Sequence, residues 1–439
     1  MGYRIAMVSD FFFPQPGGIE SHIFQLSQRL IDLGHKVIVI THAYKDRTGV
    51  RYLTNGLTVY YVPFYTIYRE TSFPSIFSFF PIFRNIVIRE GIEIVHGHGS
   101  LSSLCLEAIL HARTMGLKAC FTDHSLFGFA DASSILTNKL LKFILSDIDN
   151  VICVSHTCRE NTVLRAVLDP TKVSVIPNAL VAENFKPDPS KASKDYITIV
   201  VISRLYYNKG IDLLTAVIPR ICAMHQKVRF IIAGDGPKAI DLEQMRENCM
   251  LQDRVEMLGS IRHDQVRDVM VRGHIYLHPS LTEAFGTVLV EAASCGLYVV
   301  STKVGGVPEV LPSHMTRFAR PGEDDLVEAL SGAIIDYQNG RIQTDKFHEQ
   351  VKKMYSWLDV AQRTERVYDH MYLEKPLPLI DRLKLYYGCG QWAGKLFCFV
   401  MAIDYLLMVF LEWFWPEADI DRASDRAPRT HSIKPNNDE

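Results

Sequence analysis

The 439-residue sequence contains no C-x-x-C pair, no Asn-x-Ser/Thr sequon and no G-x-G-x-x-G stretch, and its charges nearly cancel, at a formal net charge of −2. Each shortage excludes something. Nine cysteines, an odd number without paired spacing, read as reduced and mostly buried thiols rather than a disulfide frame. The missing sequon agrees with a chain kept away from glycosylation. Without a basic excess there is no electrostatic footprint for nucleic acid, which is not expected as a partner. No cofactor is expected either. Met1–Arg4 runs straight into a strand-like IAMV with no signal-peptide layout, and Ala6 breaks the myristoylation pattern that Gly2 would open.

What is present is alternation. The length allows two or three domains, and a hydrophobic content of 48% supports sizeable cores. Arg4–Val8 reads as a strand, Glu20–Leu33 as an amphipathic helix and Lys36–Thr41 as the next strand, which makes a βαβ unit. Strands and helices continue to alternate through IEIVHGHG, KACFTDH, NVICVS and KVSVIPN. Phe185–Tyr196, rich in Pro, Ser and Lys, reads as a domain boundary. A second alternating series then runs from ITIVVISR to LYVVSTKVGG. The fold class expected is α/β, with two Rossmann-like domains at 1–185 and 196–354. Two such halves make a cleft, and clefts between domains host ligands.

Pro279–Gly296 is the stretch the rest serves. Its polar start leads to Phe285-Gly286-Thr287, and an apolar run closes at Gly296, which suits the position just past a helix end. Glu283 therefore falls on a loop, Gly286-Thr287 at a helix N-terminus and Glu291 about one turn inside. Free N–H groups at a helix start hold phosphate, and a carboxylate one turn on can accept from sugar hydroxyls. The plain alternative is an amphipathic helix with two solvated glutamates. Arg204 and Lys209 follow a strand and precede a helix, a placement that suits a diphosphate, against the default of surface charge. Gly17-Gly18 stand before a helix, where an anion or an ordinary turn would fit. His124 ends a strand where ligands gather in open α/β sheets, or else is a hydrogen-bonded structural histidine. His96 and His98 lack a third ligand at suitable spacing, so no metal is expected.

Two segments point to a lipid surface. Leu396–Trp415 has only Asp404 and Glu412 as charges over the length of a bilayer-spanning helix, with Trp413 and Trp415 placed as an interfacial belt. Spanning is the reading preferred over a buried C-terminal helix or an in-plane anchor. Asp404 then calls for a polar contact with another transmembrane subunit. Basic residues flank both ends (Arg382, Lys384 and Lys395 before; Arg422, Arg426 and Arg429 after), so they leave orientation undecided. Phe64–Arg89 sets Phe73, Phe77, Phe79, Phe80 and Phe83 beside Arg69, Arg84 and Arg89, and suits either a lipid-facing loop or a core loop.

Taken together, SRLYYNKG, AGDGP, the Glu283-to-Glu291 pair within TEAFGTVLVEAASCG, and VGGVPEV resemble the retaining nucleotide-sugar glycosyltransferases of the GT-B fold. FTDHSLFGFADASSILTNKLL and CVSHTCRENTVLRA narrow the resemblance to the catalytic subunits of phosphatidylinositol N-acetylglucosaminyltransferases, which begin glycosylphosphatidylinositol anchor synthesis. The resemblance covers nearly the whole chain except Pro416–Glu439. It implies transfer of N-acetylglucosamine from UDP-GlcNAc to phosphatidylinositol with retention and without a bound metal. By resemblance Arg204 and Lys209 bind the diphosphate, Glu291 the ribose, and Glu283 with the backbone of Ala284, Phe285, Gly286 and Thr287 the donor sugar and β-phosphate. Gly17 and Gly18 close over the phosphates, His124 contacts the transferring sugar, and Asn178 joins the substrate-binding set. Residues 355–373 are expected to cross back onto the N-terminal half, 374–395 to act as a linker, 396–415 to span the membrane and 416–439 to form a tail. The location implied is the endoplasmic reticulum membrane, single-pass, with the catalytic domain cytoplasmic and other membrane subunits as partners. Another UDP-sugar transferase, an epimerase of the same fold and a non-catalytic subunit of a membrane complex are the alternatives.

Overall fold

The computed structural model describes residues 2–424 except 16, 69–70, 76 and 129–131, so Arg69, Arg426, Arg429 and the tail beyond 424 lie outside the described residues. The chain forms two compact units. One comprises Met1–Cys153, Arg159–Ile176 and Val360–Glu439, the other Val154–Cys158 and Pro177–Asp359.

In the first unit the strands are β1 (Arg4–Val8), β2 (Lys36–His42), β3 (Gly49–Tyr52), β4 (Thr58–Val62), β5 (Thr66–Tyr68), β6 (Thr71–Ser72), β7 (Ile94–His98), β8 (Lys118–Asp123), β9 (Asn150–Cys153) and β10 (Val173–Val175). Helices α1 (Gly18–Asp32), α2 (Phe79–Glu90), α3 (Ser103–Thr114), α4 (Ala132–Leu145) and α5 (His156–Ala166) connect them. Eight strands form one sheet in the order β10-β9-β8-β7-β1-β2-β4-β3, while β5 and β6 pair apart from it. All its pairings are parallel except β3 with β4. Parallel strands covered on both faces need near-continuous apolar runs, and Ile5–Val8 and Val37–Ile40 are buried accordingly. The chain builds from β1 outward to β4 on one side and from β7 to β10 on the other. The junction of β1 and β7 is therefore a topological switch point, where a crevice opens beyond the strand ends.

The second unit repeats the scheme with β11 (Ile197–Ile202), α6 (Ile211–Met224), β12 (Val228–Ala233), α7 (Ala239–Asn248), β13 (Val255–Gly259), α8 (Val266–Met270), β14 (Ile275–His278), α9 (Thr287–Ser294), β15 (Tyr298–Thr302), β16 (Thr316–Ala319), α10 (Glu323–Gln338) and α11 (Phe347–Met354). Its sheet is wholly parallel, in the order β13-β12-β11-β14-β15-β16. Here the switch point lies between β11 and β14. Phe185 is buried in this unit, where the Ser294 hydroxyl donates to its carbonyl at 3.0 Å.

The last three helices are α12 (Trp357–Leu373), α13 (Leu379–Tyr387) and α14 (Ala393–Phe414). From Val360 onward they belong to the first unit. Tyr368 of α12 is fully buried with its hydroxyl 2.7 Å from His96 Nδ1, and Tyr3 donates to Asp369 at 2.6 Å. Within the stretch expected as a linker, 374–395, Leu379–Tyr387 form α13. Arg382 donates to Asp147 at 2.5 Å and Tyr386 to the same oxygen at 3.2 Å, so this segment is pinned by a buried carboxylate.

Asp404 corrects an expectation. Its polar contact lies within its own chain: it is fully buried, 2.8 Å from His111 Nδ1 and hydrogen-bonded by Thr114, both on α3. The phenylalanine-rich segment divides. Phe79, Phe80 and Phe83 are core, under Leu407, Met408 and Leu411 of α14, while Phe73 remains exposed.

Candidate functional site

In the second unit the loops beyond β11, β12 and β14 interlock because glycines let backbones touch. A Cβ on Gly210, whose φ is +71°, would meet the Pro279 carbonyl at 1.9 Å, and one on Gly234 would meet the Ser203 carbonyl at 1.8 Å. Leu281 N–H donates to the Asn208 carbonyl at 2.9 Å. This contact sets Lys209 against Glu283: Nζ stands 2.5 Å from Oε2. His278, at the end of β14, is 3.6 Å from the same oxygen. Burial raises the Glu283 carboxyl, but His278 and Lys209 outweigh it and hold the group down at about 2. Glu283 is thus a fixed anion beside a fixed cation.

The loop from Glu283 to Gly286 is held from behind. Gly306 N–H donates to the Glu283 carbonyl at 3.0 Å and Ser155 Oγ to the Ala284 carbonyl at 2.7 Å. Gly306 must be glycine for this approach, since a Cβ would lie 2.1 Å from the Ala284 carbonyl. Phe285 is buried with its ring 5.7 Å from that of Tyr355, so its side chain packs while its backbone faces the loop. Gly286 caps α9 at φ +88°, and no side chain caps the helix, which leaves the first N–H groups of α9 open to a ligand.

Glu291 lies on α9 one turn past Thr287, and burial pushes its carboxyl up to about 7. Among the described residues its carboxyl makes no hydrogen bond or ion pair. Arg204 is exposed on the loop after β11, and its side chain makes no hydrogen bond or ion pair among the described residues. The structure therefore joins Lys209, Glu283 and the start of α9 directly. It leaves Arg204 on the neighbouring loop and Asn178 half-buried in the stretch that opens this unit after β10.

In the first unit, Gly17 caps α1 and Gly18 begins it, both exposed, and the Glu20 carboxylate reaches back to Gly17, where a Cβ would meet Oε2 at 2.2 Å. His22, farther along α1, packs edge-on against His124 with ring centroids 4.7 Å apart. His98, at the end of β7, puts Nδ1 3.3 Å from His124 Nε2 and Nε2 3.4 Å from the Met7 sulfur. Sulfur is an acceptor, so His98 carries its proton on Nε2 and accepts at Nδ1 from the N–H of His124. The Nδ1 of His124 then presents a lone pair. Burial and the surrounding imidazoles hold His98 and His124 well below the usual range, and both are neutral.

Nitrogens of His22, His98 and His124 lie within 4.8 Å of one another, a triad that leaves out His96 of the H-x-H pair. His22 escaped sequence reading because it sits on a helix far from the H-x-H pair. His278 and Ser155 were missed for a similar reason. The only sequence signal for His278 is its place one residue before Pro279.

Residues 42–131 match the family model for GPI anchor biosynthesis proteins of the PIGA type, and residues 183–354 match glycosyl transferases group 1. The chain is 82% identical over 431 residues to the phosphatidylinositol N-acetylglucosaminyltransferase gpi3 subunit of Schizosaccharomyces pombe, covering 98% of this chain and 94% of that protein. It is 55% identical over 443 residues to the phosphatidylinositol N-acetylglucosaminyltransferase GPI3 subunit of Saccharomyces cerevisiae, covering 98% of this chain and 98% of that protein. Among solved structures, sucrose-phosphate synthase from Thermosynechococcus elongatus matches with a TM-score of 0.71 at 21% identity, covering 84% of this chain and 99% of that one. Anabaena HepE in complex with UDP-glucose matches with a TM-score of 0.66 at 18% identity, covering 83% and 99%. These two likenesses concern the fold, which is GT-B. The chain belongs to the phosphatidylinositol N-acetylglucosaminyltransferase GPI3 family of glycosyltransferases.

Proposed function

We propose that this chain transfers N-acetylglucosamine from UDP-GlcNAc to the inositol of phosphatidylinositol with retention of anomeric configuration, the first step of GPI-anchor biosynthesis. The observation that carries the reading is the Lys209–Glu283 pair at the open start of α9. A cation and unpaired amides at one place favour the charge that appears on a departing diphosphate, and they do so without reorganisation. Arg204 reaches the same group from the neighbouring loop, where its fork can grip two oxygens. The backbone of Ala284, Phe285, Gly286 and Thr287 cradles the β-phosphate while Glu283 holds donor-sugar hydroxyls. Glu291 accepts from the ribose, and Asn178 completes the substrate contacts. In the first unit Gly17 and Gly18 lie along the phosphates, and the Nδ1 lone pair of His124 accepts from a sugar hydroxyl.

In the step itself the bond from the anomeric carbon to the diphosphate oxygen breaks. The inositol oxygen bonds to that carbon from the same face, and its proton passes to the leaving UDP. The chain works with other membrane subunits, at the endoplasmic reticulum membrane, with its catalytic units on the cytosolic side and α14 as the membrane attachment. Membranes carrying the complex, given labelled UDP-GlcNAc and phosphatidylinositol, should yield labelled lipid that disappears in Glu291→Ala. Interconversion of free UDP-sugars without labelled lipid would favour an epimerase and overturn the reading.

A further inference from the structure

Strands β5 and β6 form a small hairpin to which the donor site assigns no task. Thr66 faces Ser72, and one step outward Phe73 N–H donates to the Tyr65 carbonyl at 2.9 Å, so Tyr65 and Phe73 stand opposite each other. Side chains directly opposite in an antiparallel pair share one face of the ribbon. Tyr65 is 90% exposed and Phe73 64%, whereas Ser72, on the alternate face, is buried. Two large rings thus stand side by side in solvent. Grouped apolar surface left in water marks an interaction site.

The pair is fastened from behind. Ser72 N–H donates to Asp10 Oδ1 at 3.2 Å, and Asp10, fully buried just past the end of β1, also accepts from the Ser102 hydroxyl at 2.8 Å. The hairpin is therefore tied to the β1–β7 switch point, where the crevice of the first unit opens. Beyond Phe73, Ser75 donates through its N–H and its hydroxyl to the two carboxylate oxygens of Glu107 on α3, at 2.6 and 2.8 Å. The other strand is rooted as well. Phe64, next to Tyr65, packs edge-on against Phe79 of α2 with centroids 5.5 Å apart, in the layer against which Leu407, Met408 and Leu411 of α14 pack. The exposed pair therefore begins one residue from the core layer beneath α14 and ends one residue from the Asp10 crevice.

We propose that Tyr65 and Phe73 form a ledge for the acceptor lipid, an inference that rests on phosphatidylinositol being the acceptor. The headgroup enters the crevice, and the first methylenes of the acyl chains lie against the two rings. A lipid that presents an inositol hydroxyl above the membrane surface exposes hydrocarbon to water as it rises. Covering that hydrocarbon with apolar surface offsets the loss. The acyl part, rather than the inositol ring, fits the pair. A ring of hydroxyls calls for converging polar groups, whereas Tyr65 and Phe73 offer apolar faces, with the tyrosine hydroxyl suited to the wet edge of a bilayer. A lipid also fits better than a partner protein, because the ledge runs from the crevice to the layer beneath the membrane-attaching helix. Its ties to Asp10 and Glu107 hold it ready, so little ordering is needed on binding.

The test uses the full chain in its detergent-solubilised complex, with saturating labelled UDP-GlcNAc and either dibutanoyl or dioctanoyl phosphatidylinositol as acceptor. In the unaltered complex the longer chains should give the lower KM. Tyr65→Ser with Phe73→Ser should raise the KM for the dioctanoyl lipid roughly tenfold, as loss of apolar cover does, and leave the dibutanoyl value nearly unchanged. The KM for UDP-GlcNAc and kcat should stay as they were, and Tyr65→Phe with Phe73→Leu should keep the preference for longer chains. A serine variant that retains the chain-length preference would overturn the proposal. So would an equal rise for both lipids, which would place the inositol on the rings, or loss of another subunit from the complex, which would place a protein there. If the unaltered complex labels neither lipid, the acceptor reading falls and the ledge with it; transfer that the serine variant leaves untouched sinks the ledge alone.

Discussion

Lys209 Nζ lies 2.5 Å from Glu283 Oε2, joining two loops 74 residues apart at the open start of α9. Residues in such contact do not act independently. Lys209→Met and Glu283→Gln should each weaken UDP-GlcNAc binding, and the double variant should lose less than the sum of the two, by about 0.5–3 kcal/mol. Titration calorimetry on the three variants measures this. Additive losses would show that the pair does not work as a unit.

Glu291 gives a pH signature. Burial holds its carboxyl at about 7 in place of 4.5, so near pH 6 the free protein keeps it protonated. A ribose that donates to the carboxylate favours the charged form and pulls the value down. UDP binding at pH 6 should therefore release close to one proton, and none by about pH 9. Calorimetry in buffers of different ionisation heat reads the release, and Glu291→Gln should abolish it. The same shift affects stability. Between pH 4.5 and about 7 the folded chain holds a proton that the unfolded chain has lost, so this group's contribution falls as pH rises through that window.

His98 fixes which nitrogen of His124 is free to accept. His98→Ala should raise the KM for UDP-GlcNAc or lower kcat by roughly 10-fold, about 1.4 kcal/mol. His98→Asn, which can still accept from His124, should recover part of that loss. If Ala and Asn behave alike, the imidazole only fills space.

Asp404→Leu leaves His111 and Thr114 buried without their partner, at a cost of about 1–3 kcal/mol. Thermal unfolding of the purified chain should show the loss, and adding His111→Leu should recover part of it. No loss in Asp404→Leu would mean that α14 leaves α3 in solution.

Much of this was legible in the chain, and the parts that were not share a cause. The start of α9 follows from Gly286, Thr287 and Gly296, because helix ends are written locally. The switch points follow from the order of apolar runs such as KVIVIT and ITIVVI. Lys209 against Glu283 and His22 beside His124 are contacts across long sequence separations, and nothing at either residue announces its partner. Asp404 shows the limit most clearly: composition reads Leu396–Trp415 as a span, and only the packing of α3 shows that its mid-helix charge is satisfied inside the chain. Likewise Phe79, Phe80 and Phe83 read equally as lipid-facing or core until α2 is seen to lie beneath α14.

The account depends most on positive charge at the departing diphosphate. The direct measurement is transfer of labelled N-acetylglucosamine to phosphatidylinositol by membranes in which the chain carries Arg204→Ala or Lys209→Ala. Each substitution should lower kcat by about 10²–10³, as loss of one preorganised donor does. Near-normal turnover in both would contradict the assignment of the leaving group to this site.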